Sequence, residues 1–180
     1  MNDGNTKVKI PIDDFEIRIC TTDHFSDIIQ IQDEAFDALS SPDLLRRNTD
    51  EMLMDCLNPP HVTIGAWYNG ELAGISILYY PRDDESDNLS LYLENVDTKG
   101  VKNANYKLCI VKPKYRGNSL QYELGKILEQ MAVKSGVKLM CATVHPDNVY
   151  SINNVLKLGF IYNRTLVKYG LERNLYYKFI

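Results

Sequence analysis

The stretch Val111–Gln121, VKPKYRGNSLQ, decides the fold. Before it, NYKLCIV (105–111) has strand composition, and Pro113 ends the ladder because proline has no N–H to donate. After it, Leu120, Leu124, Ile127, Leu128 and Met131 recur at helical spacing, and Gly136 supplies the exit. Arg116, Gly117, Asn118, Ser119 and Leu120 therefore lie between a strand end and a helix start. The first turn of such a helix has N–H groups with no internal partner, and its dipole favours an anion. Gly117 removes side-chain obstruction and Arg116 adds a fork of donors. These residues fit either a phosphate-sized anion site or a solvent-facing cap with a basic flank.

Working outward, VKLMCATV (137–144) is an apolar strand of the kind covered on both faces. Asn148 can cap a helix carrying Val149, Ile152, Val155 and Leu156, Gly159 gives a left-handed exit, and Phe160 starts a strand. RNLYYKFI (173–180) alternates and closes the sheet. Towards the N-terminus, residues 1–13 are polar and expected to be flexible, with a single domain over 14–180. FEIRIC (15–20) reads as a strand and 23–38 as an amphipathic helix. Asn48 or Thr49 caps a short second helix stopped by Pro59 and Pro60. VTIGAWY (62–68) and ELAGISILYY (71–80) flank Asn69-Gly70, a hairpin signal for a type I′ turn. An acidic loop, PRDDESDN (81–88), precedes LSLYLENV (89–96), which has strand composition. This order predicts a mixed α/β or α+β domain without the regular alternation of a doubly wound fold.

Composition bounds the rest. With 180 residues, 44% hydrophobic and 24% charged, the chain reads as one globular domain that needs no covalent staples. Cys20, Cys56, Cys109 and Cys141 show no CxxC spacing and read as reduced thiols of a cytoplasmic protein. No stretch resembles a signal peptide or a membrane span, and the net charge of -4 argues against a nucleic-acid or anionic-membrane surface. His24, His61 and His145 are too scattered in sequence for a zinc framework, so no metal is expected. No G-x-G-x-x-G run follows a first strand, which removes a dinucleotide-binding reading.

Taken together, Val111, Pro113, Arg116 and Gly117, followed in register by Asn148, Ser151, Gly159 and Phe160, resemble the GNAT superfamily of acyl-CoA N-acyltransferases. The two N-terminal helices and the Asn-Gly hairpin fit the same pattern. Lys168–Arg173, KYGLER, is similar to a subgroup of bacterial members. The resemblance implies a mostly antiparallel sheet with helices on both faces, and acetyl-CoA as cofactor. It implies that the strand ending at Val111 splays from 137–144 and that backbone of Cys109 and Val111 bonds the pantetheine arm. The loop from Gly117 through Asn118, Ser119, Leu120 and Gln121 to Tyr122 would hold the pyrophosphate. Asn148 and Ser151 would meet the arm from the other side, and the N–H of Ile110 or Val111 would stabilise oxygen charge during amine attack through a tetrahedral intermediate. Two positions depart from the motif: Ser119 and Gln121 stand where glycine or alanine is usual.

The acid and base are less fixed by sequence. Val155 stands where many relatives carry a tyrosine that protonates the thiolate, so Tyr150 and Tyr162 become candidates, against packing roles for both. Glu94 is either a base facing the acceptor cleft or a solvated strand end. His145 precedes Pro146 and is expected to shape its loop, and Cys109 and Cys141 to act as small hydrophobes. The leading expectation is transfer of acetyl to a primary amine on a small molecule or peptide, with a homodimer as the pairing a small domain of this kind allows. The alternative is a catalytically inactive CoA-binding regulatory module. The acidic loop 81–88 either attracts a cationic acceptor or is simply solvated.

Overall fold

The computed structural model describes residues 9–180. Its elements run β1 (Glu16–Ile19), α1 (Phe25–Asp37), α2 (Asp50–Asp55), β2 (Val62–Tyr68), β3 (Glu71–Tyr79), β4 (Asn103–Val111), α3 (Leu120–Lys134), β5 (Leu139–Val144), α4 (Val149–Lys157), β6 (Ile161–Lys168) and β7 (Leu171–Phe179). The strands form one seven-stranded sheet in the order β1-β2-β3-β4-β5-β7-β6. Every neighbouring pair is antiparallel except β4–β5. The expected mixed fold with a mostly antiparallel sheet is therefore the observed one. The last strand closes the sheet from inside, between β5 and β6, and leaves β6 as the edge.

Local chemistry explains the elements. Asn69 and Gly70 both take positive φ, 50° and 78°, which gives the β2–β3 turn the twist of its strands. Tyr169 and Gly170 repeat the device between β6 and β7, with φ of 59° and 74°. Of the two caps the sequence offers, Asn48 and Thr49, it is Thr49 that caps α2 by accepting the Met52 N–H. Asn148 caps α4 by accepting the Ser151 N–H.

Alternation along the strands divides the core between two faces. Tyr106, Ala142 and Val144 point to the face covered by α3 and α4, where Leu120, Leu124, Leu128, Val155 and Leu158 pack. A bulge in β4 between Tyr106 and Leu108 shifts the register against β3 and reverses the phase, so Leu108 and Ile110 point the other way, onto Ile28, Ile31 and Leu53 of α1 and α2. Leu139, Cys141 and Leu175 continue that second face beneath Leu89.

Two expectations are corrected. LSLYLENV is not a strand: Leu89–Tyr92 forms a 3-10 turn, and the chain continues as a loop. Asn88 explains this, because its Oδ1 accepts the N–H of Ser90 at 3.2 Å and its hydroxyl at 2.7 Å, closing a turn where a ladder would otherwise form. Of the segment expected to be flexible, residues 1–8 lie outside the described residues, whereas 9–13 are docked. Ile10 is buried, its N–H donates to Asn118 Oδ1 at 2.9 Å, and Lys9 Nζ donates to Gly117 O at 2.9 Å. No described helix is long and apolar enough to cross a membrane.

Candidate functional site

The parallel pairing of β4 with β5 covers only Asn103–Asn105 against Leu139–Cys141. Beyond those residues the two strands part. On its other side β4 stays bonded to β3: the Lys112 N–H donates to Ala73 O at 2.9 Å, and Ile75 faces Ile110 in register. Antiparallel bonding alternates. It therefore directs the Ile110 backbone towards β3 and the N–H groups of Cys109 and Val111 into the gap. This corrects one expectation: Ile110 cannot offer its N–H to a ligand there, and Val111 can. The Val111 carbonyl accepts from Arg116 Nε at 3.4 Å.

The turn leading to α3 leaves backbone amides outside the helical ladder. Gly117 has φ 88° and Ser119 φ 60°, so Ser119 holds the left-handed conformation that suits glycine, at a cost of about 1–2 kcal/mol. The helical ladder begins with the Glu123 N–H donating to Ser119 O at 3.0 Å, which leaves the amides of Leu120, Gln121 and Tyr122 outside it. Leu120 itself is core. The Asn118 side chain serves the turn: Oδ1 accepts from Ile10 and Nδ2 donates to Tyr115 O at 3.0 Å. Tyr122 packs with Lys157 and Lys126 ammonium groups 4.0 and 4.9 Å from its ring centre. Gln121 does not block the turn. Its amide bridges to α4, donating to Ser151 Oγ at 3.5 Å and accepting from Asn154 Nδ2 at 3.4 Å.

Between the parted strands lies a cavity open to solvent. Cys109, Gln121, Asn148, Ser151 and Val155 line one end of it. Asn148 has both side-chain atoms engaged, Oδ1 capping α4 and Nδ2 donating to Leu44 O at 3.2 Å. Burial pushes the Cys109 thiol up to about 12, so it lines the cavity as a neutral group. His145 also lines it. Its Nδ1 accepts the Asp147 N–H at 3.1 Å, as a loop-shaping residue would, which puts the neutral ring's proton on Nε2. At the other end stand Arg46, Asn105, Lys107, Tyr169 and Arg173. Sequence reasoning did not single out this group. The one available signal was Arg173 alternating in phase with the inward-facing Leu175 and Tyr177.

The proposed acid and base residues are not brought to the cavity lining. Glu94 sits on the loop after the 3-10 turn, with its carboxylate 2.5 Å from Arg164 Nη1 and its backbone held by Asn163. Tyr150 is 83% exposed on α4. The Tyr162 hydroxyl lies 2.8 Å from Thr165 Oγ1 on the edge strand. In the acidic loop, Glu85 is turned onto the Tyr79 hydroxyl and Asp87 onto Lys107. Among the described residues no group of three or more His, Cys, Asp or Glu is placed to hold a metal.

The model for the acetyltransferase (GNAT) family matches residues 25–160. No curated protein sequence matches the chain. Among solved structures, a putative acetyltransferase of Acinetobacter baylyi ADP1 is 23% identical, with 92% of this chain and 93% of that one covered and a TM-score of 0.69. The putative acetyltransferase yncA of Salmonella typhimurium, solved with its cofactor acetyl-CoA, is 20% identical over 92% and 94%, with a TM-score of 0.68. The ribosomal-protein-S18-alanine N-acetyltransferase of Escherichia coli is 17% identical over 92% and 94%, with a TM-score of 0.69. At these identities the structural likeness is one of fold. The family match spans both the turn before α3 and the start of α4, the two elements that flank the gap, and the chain belongs to the acetyltransferase (GNAT) family.

Proposed function

We propose that the protein transfers an acetyl group from acetyl-CoA to a primary amine. The observation that carries this reading is the early end of β4–β5 pairing, after Asn105 and Cys141, which leaves a β4 edge with the N–H groups of Cys109 and Val111 turned into the gap. An extended pantetheine arm has amide groups that match such an edge, in the manner of strand addition. The residues present fit the rest of the cofactor. The amides of Leu120 to Tyr122 and the Arg116 guanidinium suit a pyrophosphate. Bound acetyl-CoA supplies an acetyl thioester: the amine nitrogen bonds the carbonyl carbon, the C–S bond breaks, and the proton lost by the amine balances the thiol that leaves. In this reading the Val111 N–H stabilises charge on the carbonyl oxygen.

A CoA-binding module without turnover is the second reading. It is favoured by one observation: neither Glu94, Tyr150 nor Tyr162 lines the cavity, and the lining contains no carboxylate. Calorimetric titration with acetyl-CoA, followed by thiol release over a panel of amines, tests both. Transfer predicts one saturable site and acceptor-dependent thiol release. Saturable binding without release for any amine favours the module, and no binding removes both.

A further inference from the structure

The end of the cavity lined by Arg46, Asn105, Lys107, Tyr169 and Arg173 carries buried polar groups that the cofactor reading does not use. Arg173 is only 3% exposed and lines the cavity. Its Nη1 donates to Asp43 O at 3.0 Å, while Nη2 has no hydrogen-bond partner among the described residues. Asn105 is 1% exposed and lines the same cavity. Its Nδ2 donates to Asp87 O at 2.6 Å, which fixes the amide orientation, and its Oδ1 has no hydrogen-bond partner among the described residues. A buried guanidinium nitrogen and a buried amide oxygen without partners are each costly, so a pair lining one cavity calls for a ligand that completes both.

The charge of this end narrows the ligand. Arg46, Lys107 and Arg173 line the cavity, and no Asp or Glu does. Asp87 stands behind them, 2.7 Å from Lys107 Nζ and 3.9 Å from Arg46. It leaves a cationic surplus in a protein whose net charge is -4. The Arg46 guanidinium stacks 3.6 Å from the Tyr169 ring centre, and Tyr169 is held at φ 59°, a left-handed conformation unusual for a bulky residue. Strand alternation turns Asn105 and Arg173 to the face of α1 and α2, and Lys107, at the β4 bulge, reaches Asp87 and the Tyr79 ring on that same face, opposite the face on which the α3 turn stands. The cationic groups thus approach the gap from the face opposite the turn before α3.

We propose that this end of the cavity binds the carboxylate of the acceptor through Arg173, with Arg46 in support, so that the acceptor is a small amino acid. A guanidinium fork matches a carboxylate in geometry and charge. Asn105 Oδ1 accepts an N–H of the same molecule. The amine of this proposal rests on the acetyl-transfer reading, while its carboxylate rests on Arg173 and Arg46.

The test sets free L-amino acids against their carboxamides, and against spermidine, in thiol-release assays with acetyl-CoA. The expected result is at least a tenfold higher kcat/KM for the acids. Arg173→Gln should bring acid and amide within about twofold through KM, with the acetyl-CoA Kd unchanged. Equal use of acid and amide, faster use of spermidine, or an unaltered preference in Arg173→Gln overturns the proposal. Should Arg173→Gln fail to give a cooperative melt, Arg46→Gln replaces it, expected to raise KM for the acids alone; equal effects on acid and amide count against the proposal. Titration of the same acids into the protein, with and without CoA, separates the two readings. Acetyl-CoA that does not bind sinks acetyl transfer, whereas acids that give no saturable heat in either state sink the carboxylate site.

Discussion

The Tyr115 hydroxyl donates to Glu71 Oε2 at 2.8 Å, and this bond ties the turn before α3 to the start of β3. Lys112 and Lys114 converge on the same carboxylate at 3.0 and 2.5 Å, and Lys112 reaches Glu34 of α1 at 3.2 Å. Burial pushes the Glu71 carboxyl up, but the hydrogen bonds from Lys114, Lys112 and Tyr115 outweigh it and hold it at about 2. Because the folded value is depressed, its stabilisation is present above the unfolded value of 4.5 and fades as pH falls towards 2. Glu71→Gln is expected to lower Tm modestly at pH 7, since the carboxylate is partly solvated and screened. The gap to wild type should close between pH 4.5 and 2, read by melts across that range. Acetyl-CoA affinity should fall several-fold as the Pro113–Tyr115 turn loosens; an unchanged Kd would show that the turn is held without Glu71.

Ser119 at φ 60° gives a second prediction. Glycine there removes strain of about 1–2 kcal/mol but adds unfolded-state entropy of about 0.5–1 kcal/mol. Ser119→Gly should therefore be neutral to stabilising by about 1 kcal/mol in urea melts, with acetyl-CoA binding retained. Ser119→Val, β-branched in the left-handed region, should destabilise by more than about 1 kcal/mol. Equal stability of the two variants would contradict the strain argument.

Much of the fold was legible because its signals are local. The Asn69-Gly70 turn, the Thr49 and Asn148 caps and the apolar spacing from Leu120 to Met131 each act over a few residues, and each stands where the sequence predicts it. LSLYLENV failed for a related reason: its composition suits a strand, yet the neighbouring Asn88 side chain closes a 3-10 turn first. Glu94 was displaced with it. The cationic end of the cavity was not legible, because Arg46, Lys107 and Arg173 come from a loop, β4 and β7 and meet only through the order in which β7 enters the sheet.

Gly125 sets the spacing of α3 and α4. A Cβ there would stand 2.5 Å from Leu158 Cδ1, and Leu158 is itself buried. Gly125→Ala should cost about 1–3 kcal/mol from overpacking. It should also weaken acetyl-CoA binding, because the bridge from Gln121 to Ser151 and Asn154 depends on the same helix spacing. Retained stability and affinity would mean that Leu158 has room to move.

The last prediction concerns proton removal. No carboxylate lines the cavity, and His145 Nδ1 is already engaged by the Asp147 N–H, so the lining offers no ready base. On the acetyl-transfer reading, the acceptor amine then surrenders its proton to solvent at the open mouth, and its neutral fraction sets the rate. The kcat/KM profile should rise with pH up to the pKa of the amine used, and its midpoint should move when an acceptor of different basicity is substituted. Glu94→Gln should leave kcat within about twofold, because its carboxylate is engaged by Arg164 away from the cavity lining. A midpoint that stays fixed across acceptors would identify a titrating group of the protein instead, and a large loss in Glu94→Gln would name it.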